Sequence, residues 1–310
     1  MKKFKGFNAI NPKMISGILL GIVIVETLLL VRVYFKEQSA GKETPRSSVV
    51  LTTKDKKIPA KKVAARMPQR AQPVIAVTPT PTVSKSRGRI AIIVDDNGYN
   101  LRDCHYLKEI ASPVTISILP NIKHSTEMAK CAHAYKKEVM LHLPMEPHEN
   151  LDEYPKEYIL NTEMPKGLII DRLEESLKSV PYADGVNNHM GSKATENRRL
   201  MTILFAQLLA KNLFFVDSRV TSKTVGPRLA RETGLSFAQR DVFLDNVNER
   251  GEIEAEFAEL AKLAEKQGFA IGISHARKLS WQIIKEQTEK LKKEGFEIVP
   301  VRTIVDQINP

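Results

Sequence analysis

The stretch IAIIVDDNGYN, residues 90–100, runs from a continuous apolar segment straight into two adjacent aspartates, Asp95 and Asp96. An apolar run of this length rich in β-branched residues reads as a buried strand. Two carboxylates side by side at the end of such a strand repel each other and resist desolvation, so the pocket they enter must supply compensation.

The pattern repeats outward from there. RIAIIVD precedes a helix near 101–110, and VTISIL precedes one near 123–136. VMLHL leads into a proline-bearing excursion over residues 144–170. The helix DRLEESLKSV leads to DGVNNHMGS, ENRRLMTILFAQLLAK leads to LFFVDS, and a helix near 223–233 leads to DVFLDN. IEAEFAELAKLAEKQG then leads to FAIGISH, and SWQIIKEQTEKLKKEG to FEIVPV. Strands alternating with helices of this length imply parallel pairing in a sheet covered by helices. Seven or eight such units in about 220 residues suit a closed or nearly closed β/α barrel, an open doubly wound sheet being the alternative.

The chain's net charge of +11 belongs to its beginning. Residues 1–89 hold 18 Lys/Arg against 4 Asp/Glu, whereas residues 90–310 hold 29 against 32. The folded part is thus slightly acidic, which argues against nucleic acid as a partner. Residues 1–14 carry four lysines and read as a cytoplasmic tail. Residues 15–35, ISGILLGIVIVETLLLVRVYF, are long enough to cross a bilayer as a helix, although Glu26 and Arg32 interrupt the run. The run is longer than a signal-peptide core and QSAGK is a weak cleavage site, so it reads as an uncleaved single-pass anchor of a bacterial inner membrane, although the sequence leaves cleavage open. By the positive-inside rule the globular domain is expected in the periplasm or otherwise outside. Residues 36–88, rich in Lys, Pro, Thr, Ser and Ala, form a basic tether, and residues 89–310 form the domain. Cys104 and Cys131 are the only cysteines; the sequence leaves open whether they are bonded or free.

Nearly every strand ends in residues that carry chemistry. The first gives Asp95 and Asp96, the third His142 and then Glu146, the fourth Asn188 and His189. The fifth gives Asp217, the sixth Asp245 and the seventh His275. In a parallel α/β sheet these ends face one shared pocket. A divalent cation makes the two aspartates tolerable, and His142 and His189 are the natural co-ligands, because neutral imidazole with carboxylate suits a zinc-like ion, with cobalt, nickel or manganese as other options. Such an ion acidifies water for attack on a carbonyl while a free carboxylate takes the proton, and His275 protonates the leaving amine. Backbone amides and the hydroxyl around Gly191 and Ser192 would support the oxyanion, with Asn188 beside them. Glu146 and Asp217 are weaker candidates for the ion or for orienting its ligands. Asp245 is a weak candidate for a substrate contact, or else a helix cap.

DDNG at 95–98, HLPMEP at 142–147, NHMGS at 188–192, VDSRVT at 216–221 and GISH at 272–275 resemble the divergent polysaccharide deacetylase family, relatives of the carbohydrate esterases that N-deacetylate chitin-like and peptidoglycan sugars. The resemblance spans residues 88–308 and implies a seven-stranded irregular β/α barrel, with an envelope glycan or peptidoglycan as partner. It also implies Asp95 as base, Asp96 as metal ligand and His275 as general acid. The related esterases carry two histidines at HxxxH spacing; here Glu146 stands where the second is expected, and His189 on the next strand is the substitute. Two other functions fit the same residues: a domain that keeps the pocket to bind glycan or an envelope partner, and a metal-dependent amidase acting on peptidoglycan stems.

Overall fold

The computed structural model describes residues 86–149 and 158–309. The tail, the anchor at 15–35 and nearly all of the tether lie outside the described residues, among which no helix is long and apolar enough to cross a membrane.

The strands are β1 (Arg89–Asn97), β2 (Thr115–Ile118), β3 (Glu138–Met145), β4 (Ala183–Met190), β5 (Phe214–Asp217), β6 (Phe237–Gln239), β7 (Val242–Phe243), β8 (Phe269–His275) and β9 (Glu297–Ile298). The helices are α1 (Cys104–Glu109), α2 (Ser125–Ala134), α3 (Lys166–Ser179), α4 (Arg198–Ala210), α5 (Gly226–Thr233), α6 (Arg250–Gln267), α7 (Lys278–Lys293) and α8 (Val301–Ile308). A short 3-10 turn at Leu101–Asp103 precedes α1, so the expected helix at 101–110 is split.

All pairings are parallel, in the order β6-β5-β4-β3-β2-β1-β8-β7, with β9 beside the start of β1. Sequence neighbours are mostly spatial neighbours, with no reversal in mid-sheet, which excludes the doubly wound alternative. The outermost strands β6 and β7 are separated by only Arg240 and Asp241. The Arg240 amide donates to Asp217 O in β5 and the Asp241 amide to Ile271 O in β8. A two-residue link between the two edges requires the sheet to curl into a barrel-like form. The expected seven strands are observed as eight on this path plus β9: DVFLDN contains only β7, and the unanticipated β6 just before it serves the other edge.

Alternation along each strand builds two cores. Ile90, Ile92, Val94, Ile116, Leu141 and Val186 face outward against the helices. Ala91, Ile93, Met140, Phe214, Val216, Ile271 and Ile273 fill the interior. Gly185 makes that interior possible on β4, since a Cβ there would lie 2.4 Å from the Phe214 ring. The interior is floored by α8, unanticipated from the sequence, whose Val301, Ile304 and Val305 are fully buried. Its N-terminus is met by Glu138 of β3, which accepts from the Val301 and Arg302 amides at 2.8 and 3.2 Å. The inward-facing series therefore starts on a closed apolar floor and ends, two residues further up, in polar groups.

Candidate metal centre

Following the inward parity upward, β1 reads Ala91, Ile93, Asp95; β3 reads Met140, His142; β8 reads Ile271, Ile273, His275; and β4 reads Gly185, Asn187, His189. Register places His142 opposite Asn187 and Asp95 opposite His275. In a regular strand Asp96 would point away from Asp95. Instead the β1–β2 register shifts between Val94 and Asn97, and Asp96 adopts φ 59°. The bulge swings its carboxylate back over the pocket, a left-handed conformation that costs an L-residue roughly 1–2 kcal/mol.

Three donor atoms then converge. Asp96 Oδ1 lies 3.2 Å from His142 Nε2 and 3.1 Å from His189 Nδ1, and those two nitrogens are 3.1 Å apart. Among the described residues no other three His, Cys, Asp or Glu side chains converge in this way. A tetrahedral ion with bonds of about 2.0–2.1 Å has ligand atoms roughly 3.3 Å from one another, so the triangle fits. Asp96 Oδ1 is buried, and although both rings are close, no donor is aimed at it with hydrogen-bond geometry. An oxygen so placed, facing two ring nitrogens, is a donor set that suits a divalent cation. These residues would hold one.

Asn187 organises the layer beneath. Its Nδ2 donates to Asp95 Oδ1 and Oδ2 at 3.0 and 3.1 Å. Because a carboxylate only accepts, the amide orientation is fixed, and its Oδ1 must accept from Ser117 Oγ and from His142 Nδ1 at 3.0 Å. The neutral His142 ring thus carries its proton on Nδ1 and presents a bare Nε2 lone pair to the centre.

The electrostatics divide the two aspartates. Burial raises the Asp95 carboxyl above its ordinary range, with the Asp96 charge adding to it and His142 and Asn187 only partly offsetting it. Burial acts on Asp96 too, but the facing imidazoles outweigh it and hold its carboxyl well below that range. Burial lowers the His142 pKa less than Asp95 and Asp96 raise it, whereas His189 is lowered, by burial first and then by His142. In the metal-free cluster His142 is thus the ring whose affinity for a proton is raised, and a cation at its Nε2 would compete with that proton.

On the opposite side, the His275 amide and Nδ1 both donate to the carboxylate of Asp245, the ring contact being 3.0 Å, and Ser280 Oγ donates to its other oxygen at 2.7 Å. His275 Nε2 is left facing the pocket, 3.8 Å from Asp96 Oδ2. Asp245 is 0% exposed, so it lies behind His275 and positions it, with no surface left for a substrate.

Five other sequence candidates stand apart from the centre. Glu146 Oε2 accepts from the Thr162 amide and hydroxyl, and Oε1 pairs with Lys193 at 2.7 Å. It clamps two loops together and lies outside the Asp96–His142–His189 set. Asp217, 0% exposed on the outer face of β5, accepts from the Arg219 amide and Thr224 Oγ1 and so shapes the loop into α5. Asn188 accepts from the Ser218 amide and donates to Met190 O, tying β4 to β5. Ser192 Oγ accepts from the His148 amide, and Gly191 turns the chain at φ 92°. Both hold the rim loop rather than the ion cluster. Cys104 and Cys131 form a disulfide between α1 and α2, with Cα atoms 6.1 Å apart.

Residues 92–305 match the model of the divergent polysaccharide deacetylase family. An uncharacterized protein of Escherichia coli K12, YibQ, is 34% identical over 205 residues, 66% of this chain and 63% of that protein. The chain therefore spans just under two thirds of that relative. An uncharacterized Haemophilus influenzae protein is 32% identical over 194 residues, 63% of this chain and 69% of its own length. The crystal structure of an uncharacterized Agrobacterium tumefaciens protein, ATU2773, superposes with a TM-score of 0.68 at 23% identity, covering 71% of this chain and 91% of that one.

Proposed function

The chain belongs to the divergent polysaccharide deacetylase family, and from that premise we propose that it removes N-acetyl groups from a cell-envelope glycan with the help of one divalent metal ion, zinc being the first candidate. The observation that carries this reading is the convergence of Asp96, His142 and His189, flanked by Asp95 on one side and His275 on the other.

Asp96, His142 and His189 would hold the ion. When bound, it would polarise the acetamide carbonyl and acidify water. Asp95, 3.7 Å from His142 Nε2 and with its affinity for a proton raised by burial, accepts the proton of the attacking water. Asn187 keeps that carboxylate aimed through two hydrogen bonds. His275 delivers a proton from Nε2 to the departing amine, held in position by Asp245 at Nδ1.

The anchor at 15–35 and a location outside the inner membrane belong to the same proposal. The lysine-flanked apolar run supports them, as does the Cys104–Cys131 disulfide, which persists in an oxidising compartment.

The test is metal content of the full-length protein by mass spectrometry, wild type beside His189→Ala, followed by acetate release from N-acetylated glycans with and without chelator. About one ion per chain, lost in the variant, and chelator-sensitive acetate release are expected. Release of stem peptides instead of acetate would make the chain an amidase. An ion-free protein that still retains glycan would make it a binding domain.

A further inference from the structure

Beside the centre a cleft of about 560 Å³ opens between the β1–α1 connection and the β8–α7 connection. Asp96 and His275 form its inner end, and Tyr99, Arg102, Arg277 and Lys278 line its outer part, with Asp103 as the one further acid. Three cations at one end of a pocket contrast with a folded region whose Asp/Glu outnumber its Lys/Arg. Elsewhere on the surface Arg87, Arg89, Arg198 and Arg250 each face a glutamate. Lys278 pairs with no carboxylate among the described residues, Arg102 has only its chain neighbour Asp103 in its field, and the Arg277 guanidinium meets Asp245 at its backbone O (2.9 Å) and at Oδ2 (3.7 Å). Three cations against two flanking carboxylates, gathered at the mouth of a cleft beside a reaction centre, make a recognition surface for an anion.

The walls also suit a sugar. Tyr99 is 59% exposed and offers a ring face at the mouth of the cleft. Tyr106 behind it is stacked on the buried Trp281, centroids 5.6 Å apart, and the disulfide at Cys104 holds the start of α1 against α2. The wall is therefore fixed before anything binds, which reduces the ordering cost of recognition. We propose that this cleft is a subsite for a sugar bearing an anionic substituent, a carboxylate or a phosphate ester, adjacent in the glycan to the sugar whose acetamide faces the metal centre. It rests on the deacetylase reading for what lies at its inner end and narrows the substrate to an acidic glycan.

The probes are three N-acetylhexosamine oligosaccharides of equal length: neutral, carboxylate-bearing and phosphate-bearing. Each is titrated calorimetrically into the full-length protein in excess chelator, so that binding is read without turnover. At low salt the better anionic ligand should bind roughly tenfold tighter than the neutral one, and the preference should shrink as salt rises. The two anionic arms decide between carboxylate and phosphate. Arg102→Ala combined with Lys278→Ala, both exposed positions, should abolish the preference while leaving the neutral ligand's affinity unchanged. Equal affinity for all three, no binding by any, or a preference that survives the double variant overturns the proposal. Acidic-glycan binding without acetate release would sink the deacetylase reading and leave the cleft standing. Equal deacetylation of neutral and acidic glycans would do the reverse.

Discussion

Replacing Asn187 by alanine tests the construction of the site more directly than removing a ligand does. The side chain is fully buried and serves three close partners, Asp95, Ser117 and His142, besides a longer donation to Ser218 Oγ at 3.3 Å. Each partner left short of a hydrogen bond costs about 1 kcal/mol at the low end of the usual range, water entering the space setting that lower end. The sum, about 3 kcal/mol, corresponds to a fall of about 6–12 °C in Tm for a domain of this size. A cation site whose ligand ring has lost its orienting acceptor should also bind about 10–100-fold more weakly. Asn187→Asp separates the two effects: it keeps an acceptor for His142 Nδ1 but replaces the donor to Asp95 with a third carboxylate. That variant should hold a divalent ion better than the alanine variant does, yet turn over poorly, because Asp95 is driven further towards its protonated form. Differential scanning calorimetry and zinc titration read both. An Asn187→Ala protein with unchanged Tm and unchanged ion affinity would refute the idea that this amide organises the centre.

Glu146→Gln should leave ion affinity within about threefold, because the carboxylate is spent on Lys193 and Thr162, and should lower stability by about 1 kcal/mol or less. Burial opposes ionisation of Glu146, but Lys193 and Thr162 outweigh it and depress its pKa from 4.5. Its contribution is therefore present above about pH 4.5 and lost as the pH falls through the depressed value, so the wild type should lose more Tm on acidification than the glutamine variant; parallel acid slopes would contradict this. Opening the Cys104–Cys131 bond, which spans 27 residues, by Cys131→Ser should cost about 3–4 kcal/mol, read as a drop of about 10 °C in Tm. Asp245→Asn should reduce acetate release about a hundredfold at unchanged ion stoichiometry, since only the aim of His275 is disturbed; loss of the ion would place Asp245 in the wrong role.

The fold was legible where local pattern and tertiary role coincide. Ile90 to Val94 read as a buried strand and are one, and the βα alternation gave the parallel sheet and the strand ends that carry Asp95, His142, His189 and His275. Of the short pieces, β7 and β9 lie inside DVFLDN and FEIVPV and were legible, whereas β6, three residues that owe their pairing to β5, was not. Asp96 could be picked as a ligand by resemblance, but its inward aim depends on a bulge and a positive φ that no periodicity encodes. Asn187 was missed beside Asn188, although the signal was present: 187 shares its parity with His189, and 188 does not. The same test separates Asp217, whose neighbour Val216 points inward, from the aspartate that faces the pocket. A polar residue at a strand end is only a candidate until its parity is counted.

The floor under the centre comes from α8, which follows every strand of the domain. β9 pairs with β1, and α8 is gripped by Thr115 and Glu138 near the other end of the domain. Until residues 297–308 have left the ribosome, the interior beneath Asp95 and His142 is open to water from below. A domain built this way closes its inner core only when α8 docks, because the strands alone leave the side opposite the chemistry uncovered. Trimming at that end, by a protease or by an ill-placed fusion, would uncork the barrel from the side opposite its chemistry.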